Sequence, residues 1–99
     1  AMCVVSARDE GKLVGIGFVV GNIRHAQMVD LVVHPDYRRQ GIGGRIFDAR
    51  VEFCKQKGVT YLGLTYNSAT PWLKDFYERH GFRSIDFAIW HKDSLKRIV

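Results

Sequence analysis

Three glycines stand at positions 41, 43 and 44, directly after Arg38, Arg39 and a glutamine and just ahead of a helical pattern. The start of a helix leaves backbone N–H groups without intrahelical partners and carries partial positive charge, so it binds anions. Glycine lets the main chain approach a phosphate closely, and the two arginines add positive charge beside it. The segment therefore predicts a binding site for a diphosphate group.

Two common phosphate-binding motifs do not fit this segment. A P-loop requires GxxxxGK[ST], a string that the sequence lacks. The dinucleotide fingerprint GxGxxG would need its third glycine at Ile46, and no acidic residue follows at the distance expected for a ribose contact. The remaining structural alternative is that the glycines only form a tight turn.

Composition limits the classes of partner. The chain has 99 residues, of which 46% are hydrophobic, which predicts one globular domain spanning residues 1–99. Its net charge of +5 favours an acidic partner, such as nucleic acid, a membrane surface or a phosphate-rich cofactor. No apolar run is long enough to cross a membrane, and no signal-peptide pattern opens the sequence.

Cysteine and histidine usage predicts neither a disulfide nor a metal site. Cys3 and Cys54 lack metal-ligand spacing, which indicates reduced thiols in a cytoplasmic protein. The four histidines are scattered and form no cluster with the cysteines. We therefore expect no metal cofactor.

The elements that must position the glycine segment follow from hydrophobic periodicity. Short runs rich in valine and isoleucine predict strands at 3–7, 13–20, 27–34 and 59–65, with one or two more within 82–91. A helix is predicted from Ile42 to Lys57, with an apolar stripe formed by residues 42, 46, 49 and 53 and widened by 47 and 54. Gly58 would end it in a left-handed conformation.

A second helix is predicted after Thr70 as N-cap and Pro71 as first residue, and Gly81 would end it. The strands on either side of the first helix should be parallel, because a strand-helix-strand crossover favours that arrangement. The predicted fold class is α/β (α+β), with a mixed, partly antiparallel central sheet and two main helices.

Two motifs in this order resemble the GNAT superfamily of N-acetyltransferases. Residues 38–43, Arg-x-x-Gly-x-Gly, resemble its acetyl-CoA signature R/Q-x-x-G-x-G/A, and FYERHGF at 76–82 resembles its FYexxGF segment. The resemblance covers roughly residues 12–92. It implies a GNAT-like acyl-CoA N-acyltransferase core that transfers an acetyl group from acetyl-CoA to a primary amine of a small molecule or protein.

The resemblance also implies which residues bind the cofactor. Backbone amides of residues 39–44 would hold the CoA diphosphate, and strand residues 31–33 would pair with the pantetheine arm, which enters the gap beside the strand after the helix. The implied cofactor-binding residues are Leu31, Val32, Val33, Arg38, Arg39, Gln40, Gly41, Ile42, Gly43, Gly44, Asn67 and Tyr77.

Three residues are candidates for proton transfer. The resemblance makes Tyr77 the general acid that protonates the departing thiolate. Asp30 and His34 are candidate bases, because two-residue alternation would place them on one side of the third strand. Alternatively, water or another group takes the proton, Asp30 pairs with a cation, and His34 forms the turn before Pro35. His80 is expected to serve the helix end.

The sequence departs from the family before the region resembling residues 2–7. Family members usually have another strand and one or two helices there, which form a wall of the acceptor groove. A minimal natural form, a truncated chain, or a subunit whose neighbour supplies the wall would each explain this, and we expect a homodimer.

Two other function classes compete with the enzyme. One is an acyl-CoA-binding module without turnover. The other is a basic nucleic-acid-binding domain, which the sequence disfavours because no stacking aromatics interrupt its basic residues. Those basic residues lie on one loop and its helix, at positions 38, 39, 45, 50, 55 and 57. We expect neither nucleic acid nor membrane as a partner.

Overall fold

The computed structural model describes residues 2–66 and 69–85. They fall into two compact units, which divide between Thr65 and Tyr66. None of the helices in these residues is long and apolar enough to cross a membrane.

The first unit is a four-stranded sheet with one long helix. Its strands stand in the order β1-β2-β3-β4; the first two neighbouring pairs are antiparallel, and β3 and β4 are parallel, as predicted. The crossover from β3 to β4 contains a short 3-10 helix, the glycine segment and α1. The elements are β1 (Cys3–Asp9), β2 (Lys12–Gly21), β3 (His25–Val33), the 3-10 helix (Pro35–Tyr37), α1 (Ile42–Lys57) and β4 (Tyr61–Gly63).

Helix α1 packs closely over the sheet because β2 has glycines beneath it. A Cβ atom at Gly15 or Gly17 would lie only 2.9 Å or 2.8 Å from the side chain of Ile46. Gly58 ends the helix with φ +74 and donates its N–H to the carbonyls of Cys54 and Lys55, which confirms the predicted stop. The buried apolar residues are Val14, Val19, Ala26, Met28, Ile46, Phe47 and Cys54.

The predicted apolar stripe of α1 is wrong at one position. Ala49 is exposed, whereas Arg50 is buried with 4% of its surface accessible. The buried residues of the helix are Ile46, Phe47, Arg50 and Cys54, so Arg50 takes the place that we predicted for Ala49. An arginine in the packed face has the long apolar stem that such a position needs, but its charged end must find hydrogen-bond acceptors.

The fourth strand is shorter than predicted. It covers Tyr61–Gly63 rather than residues 59–65, because it pairs with β3 only opposite His25–Gln27. The third strand begins two residues earlier than predicted, and His34 lies outside it as the N-cap of the 3-10 helix.

The second unit contains α2 (Pro71–Arg79). Thr70 is its N-cap, as predicted, although its side chain makes no capping hydrogen bond. His80 follows as C-cap and Gly81 has φ +92, which ends the helix. Residues 82–85 are not a strand, contrary to the prediction, and residues 86–91 of the predicted strands lie outside the described residues.

Candidate active site

Strands β3 and β4 separate after a short stretch of pairing. Parallel pairing joins His25–Gln27 to Tyr61–Gly63, after which β4 ends while β3 continues to Val33. In the described part of the chain, no strand pairs with the β4 side of Met28–Val33, although β2 accompanies the other side. An unpaired strand edge offers N–H and C=O groups to an extended ligand.

The glycine segment leaves the start of α1 open. Gly41 is the N-cap with φ +80, and Arg39 also has a positive φ of 64. The first turn has no acidic residue, so no carboxylate there competes for its N–H groups. Arg38 and Arg39 are both exposed. A helix start with no carboxylate in its first turn and with exposed arginines beside it favours the binding of an anion.

Neither packing nor a positive φ requires a glycine at positions 43 and 44. A Cβ at Gly44 would meet nothing within 4 Å. A Cβ at Gly43 would make ordinary contacts with Leu31 Cδ2 at 3.7 Å and Val33 Cγ2 at 3.9 Å. Gly43 therefore lies where the start of α1 adjoins the unpaired edge of β3.

The loop is also tied to this edge by a side chain. Arg38 Nε donates a hydrogen bond to the Val33 carbonyl oxygen at 3.3 Å. The residues predicted to bind the diphosphate and those predicted to bind the pantetheine thus lie side by side.

His34 holds the turn between these two parts. Its Nδ1 atom accepts the backbone N–H of Asp36 at 3.1 Å, and its ring meets the Tyr37 ring edge-on at 5.7 Å. A neutral imidazole that accepts at Nδ1 carries its proton on Nε2, so no ring lone pair is available while this bond persists. The geometry favours the turn-forming role of His34 over that of a base.

Asp30 lies in a β-bulge. The register of β2 and β3 shifts between Gly17 and Phe18, and Asp30 is the extra residue, exposed and with φ +53. The two-residue alternation that we used to place Asp30 and His34 on one side of the strand does not hold across a bulge. That argument is wrong, and the role of each as a base stays a prediction.

Tyr77 belongs to the second unit, on α2, and is half-buried. The centroid of its ring lies 5.4 Å from that of Tyr66, 5.3 Å from that of Phe76 and 6.2 Å from that of Phe82, so it belongs to a cluster of aromatic rings. His80 Nδ1 donates to the Phe76 carbonyl at 2.7 Å, in line with its expected place at the helix end.

Asn67 lies outside the described residues. Across residues 2–66 and 69–85, no three His, Cys, Asp or Glu side chains form a group that could hold a metal ion.

The sequence profile described as the acetyltransferase (GNAT) domain matches residues 1–84. The chain belongs to the GNAT acetyltransferase family. A GNAT family acetyltransferase from Streptococcus pneumoniae TIGR4 has the same fold, with a TM-score of 0.73 and 26% identity over 92% of this chain and 71% of that one. The mixed sheet with two helices is thus a GNAT acyltransferase fold, as predicted.

Two further similar proteins are named for the same activity. The putative bS18-alanine N-acetyltransferase of Bacillus subtilis is 29% identical over 58 residues, which are 59% of this chain and 38% of the relative. The ribosomal-protein-S18-alanine N-acetyltransferase of Escherichia coli has a TM-score of 0.76 at 23% identity, over 85% of this chain and 54% of that one. This chain therefore matches only part of either protein.

Arg50 is the residue of this GNAT domain that sequence reasoning misplaced. We counted it only among the basic residues of the loop and its helix, but it is buried and its guanidinium donates to two strand carbonyls. The available signal was Gly15 and Gly17 at alternate positions of a strand, since such glycines indicate close approach of another group.

Proposed function

We propose that this GNAT domain transfers an acetyl group from acetyl-CoA to a primary amine. The observation that carries the proposal is the junction at Gly43, where an open helix start adjoins the unpaired edge of β3. A diphosphate attached to an extended, amide-containing arm matches both halves of this site.

The residues present fit acetyl-CoA as donor substrate. Amides of residues 39–44 would hold the diphosphate, with Arg38 and Arg39 adding positive charge, and the free edge of Leu31–Val33 would pair with the amides of the arm. We also propose Asn67 as a contact to CoA, on the basis of the GNAT resemblance of the sequence alone.

The transfer itself places three demands on the site. The amine nitrogen attacks the thioester carbonyl, the carbon–sulfur bond breaks, the amine loses a proton and the thiolate gains one. A backbone N–H within Leu31–Val33 would stabilise the oxyanion. Tyr77 would donate the proton to the thiolate, and Asp30, His34, water or another group would accept the proton of the amine.

The acceptor class and the assembly belong to the same proposal. Because the Bacillus subtilis relative is named for an alanine amino terminus, a peptide beginning with alanine is the first acceptor to test. We further propose one catalytic domain over residues 1–99, since the family profile covers residues 1–84, which include the first unit and part of the second. A cytoplasmic homodimer without nucleic-acid or membrane partners is expected from the sequence.

The test is acetyl-CoA-dependent thiol release against a panel of amines that includes small amines, lysine peptides and alanyl peptides. We expect release above the rate without acceptor for at least one class. Gly41→Asp, which places a carboxylate beside the diphosphate and can adopt the positive φ, should abolish both binding and release. Binding without release for every acceptor would favour an acyl-CoA-binding module.

A further inference from the structure

Arg50 makes contacts that helix packing alone does not require. Its Nη1 atom donates to the carbonyl oxygens of Phe18 at 3.1 Å and Val29 at 3.2 Å, and 4% of the residue is accessible. An apolar side chain would fill the same space without the cost of burying a guanidinium. The two carbonyls therefore give the reason for an arginine here.

Both carbonyls lie at the β-bulge. Phe18 pairs with Val29, Gly17 pairs with Leu31, and Asp30 is inserted between the two pairs. A bulge interrupts the ladder of hydrogen bonds between strands. At this point the guanidinium donates a hydrogen bond to a carbonyl of each strand. It bridges β2 and β3 where their own pairing is irregular.

The neighbouring strand is shaped to admit the guanidinium. A Cβ at Gly17 would lie 3.1 Å from both Cζ and Nε of Arg50 and 2.8 Å from Ile46 Cγ2. A side chain at position 17 would force the Ile46 side chain to shift and would press on the guanidinium. Gly17 and Arg50 thus form one structural unit with the bulge.

The bulge immediately precedes the strand residues that the proposed function assigns to acetyl-CoA. It sets the direction in which Leu31–Val33 leave the region of regular pairing. We propose that Arg50 is a positioning residue for the donor site, holding the bulge so that the free edge of Leu31–Val33 meets the extended arm of acetyl-CoA. This inference rests on the proposed function for the identity of the ligand.

The experiment compares Arg50→Met and Arg50→Lys with Lys55→Met, which removes one charge from an exposed position of the same helix. Hydrogen exchange of the amides in residues 29–33 is measured beside that of β1, and CoA affinity is measured by calorimetry at a temperature where circular dichroism shows every variant folded. Arg50→Lys keeps the apolar stem and the positive charge, so exchange and CoA affinity can still be compared in this variant if Arg50→Met does not fold.

We expect Arg50→Met to speed amide exchange in residues 29–33 by about tenfold or more beyond any change in β1. It should also weaken CoA binding by about tenfold, which corresponds to the free energy of roughly one hydrogen bond. Arg50→Lys should lie between this variant and the wild type, and Lys55→Met should match the wild type.

A folded Arg50→Met that binds CoA as the wild type does would overturn the proposal. Uniformly faster exchange in β1 and in residues 29–33 would also overturn it, because it would show that Arg50 stabilises only the whole sheet. If the wild type failed to bind CoA, the proposed function would be refuted, while local exchange at the bulge would still decide whether Arg50 holds it.

Discussion

Replacing Gly43 tests whether the junction between α1 and β3 admits a ligand. A Cβ at this position makes only ordinary contacts, 3.7 Å from Leu31 and 3.9 Å from Val33, so Gly43→Ala should fit. Alanine is better than glycine in a helix by up to about 1 kcal/mol. That gain would raise the melting temperature by about 4–8 °C in a domain of this size.

Gly43→Leu should separate stability from binding. The longer side chain extends past those contacts into the place assigned to the diphosphate and the arm. Losing two charge-assisted hydrogen bonds from the helix amides, at roughly 1.5 kcal/mol each, costs about 3 kcal/mol and lowers CoA affinity more than about a hundredfold. Calorimetry with CoA and thermal denaturation measure the two effects.

Gly58→Ala is the matched control at the other end of α1. Its φ of +74 strains any L-residue, so this variant should lose about 1 kcal/mol or more of stability and keep its CoA affinity. If a folded Gly43→Leu bound CoA like the wild type, the junction would not be the donor site and the reasoning would be refuted.

Tyr77→Phe should slow thiol release by about tenfold or more and change CoA affinity far less, as steady-state kinetics and calorimetry would show; an unchanged rate would mean that water or another group protonates the thiolate. Burial raises the pKa of the Cys54 thiol, so DTNB should modify it only on unfolding, and fast modification of the native protein would contradict its burial. CoA affinity should fall with salt, and less steeply in Arg39→Gln; equal slopes would exclude Arg39 from the site. The hydrogen bond that Tyr37 donates to Asp9 raises the pKa of the phenol above 10.0. This hydrogen bond should therefore stabilise the fold below pH 10 and cease to do so at more alkaline pH, where the phenol loses its proton. Thermal melts of Tyr37→Phe at alkaline pH should lack this loss of stability, and the same dependence of melting temperature on pH in variant and wild type would contradict the prediction.

The long helix was predictable at both ends because its limits depend on local signals. Gly41 and Gly58 adopt the left-handed conformations that glycine favours at helix ends, and Ile42–Lys57 matches the predicted bounds. The parallel pairing of β3 and β4 followed from the crossover between them. The loop and its neighbouring strand edge were predicted together only through the family resemblance.

The features that sequence reasoning missed depend on contacts between distant segments. The bulge at Asp30 arises from the register of two strands, which no local pattern specifies. Arg50 counts as a surface residue in any hydrophobicity pattern, and only Gly17 opposite it and the carbonyls at the bulge make its burial favourable. The length of β4 likewise depends on where β3 diverges from it.

The central claim is that acetyl-CoA binds where the start of α1 meets the free edge of β3. Titrating CoA into the ¹⁵N-labelled protein and following its backbone amides by NMR tests this most directly. We predict saturable shifts concentrated in residues 31–33 and 39–44, with β1 and the C-terminal half of α1 little changed. No saturable shift, or shifts confined to other residues, would contradict the claim.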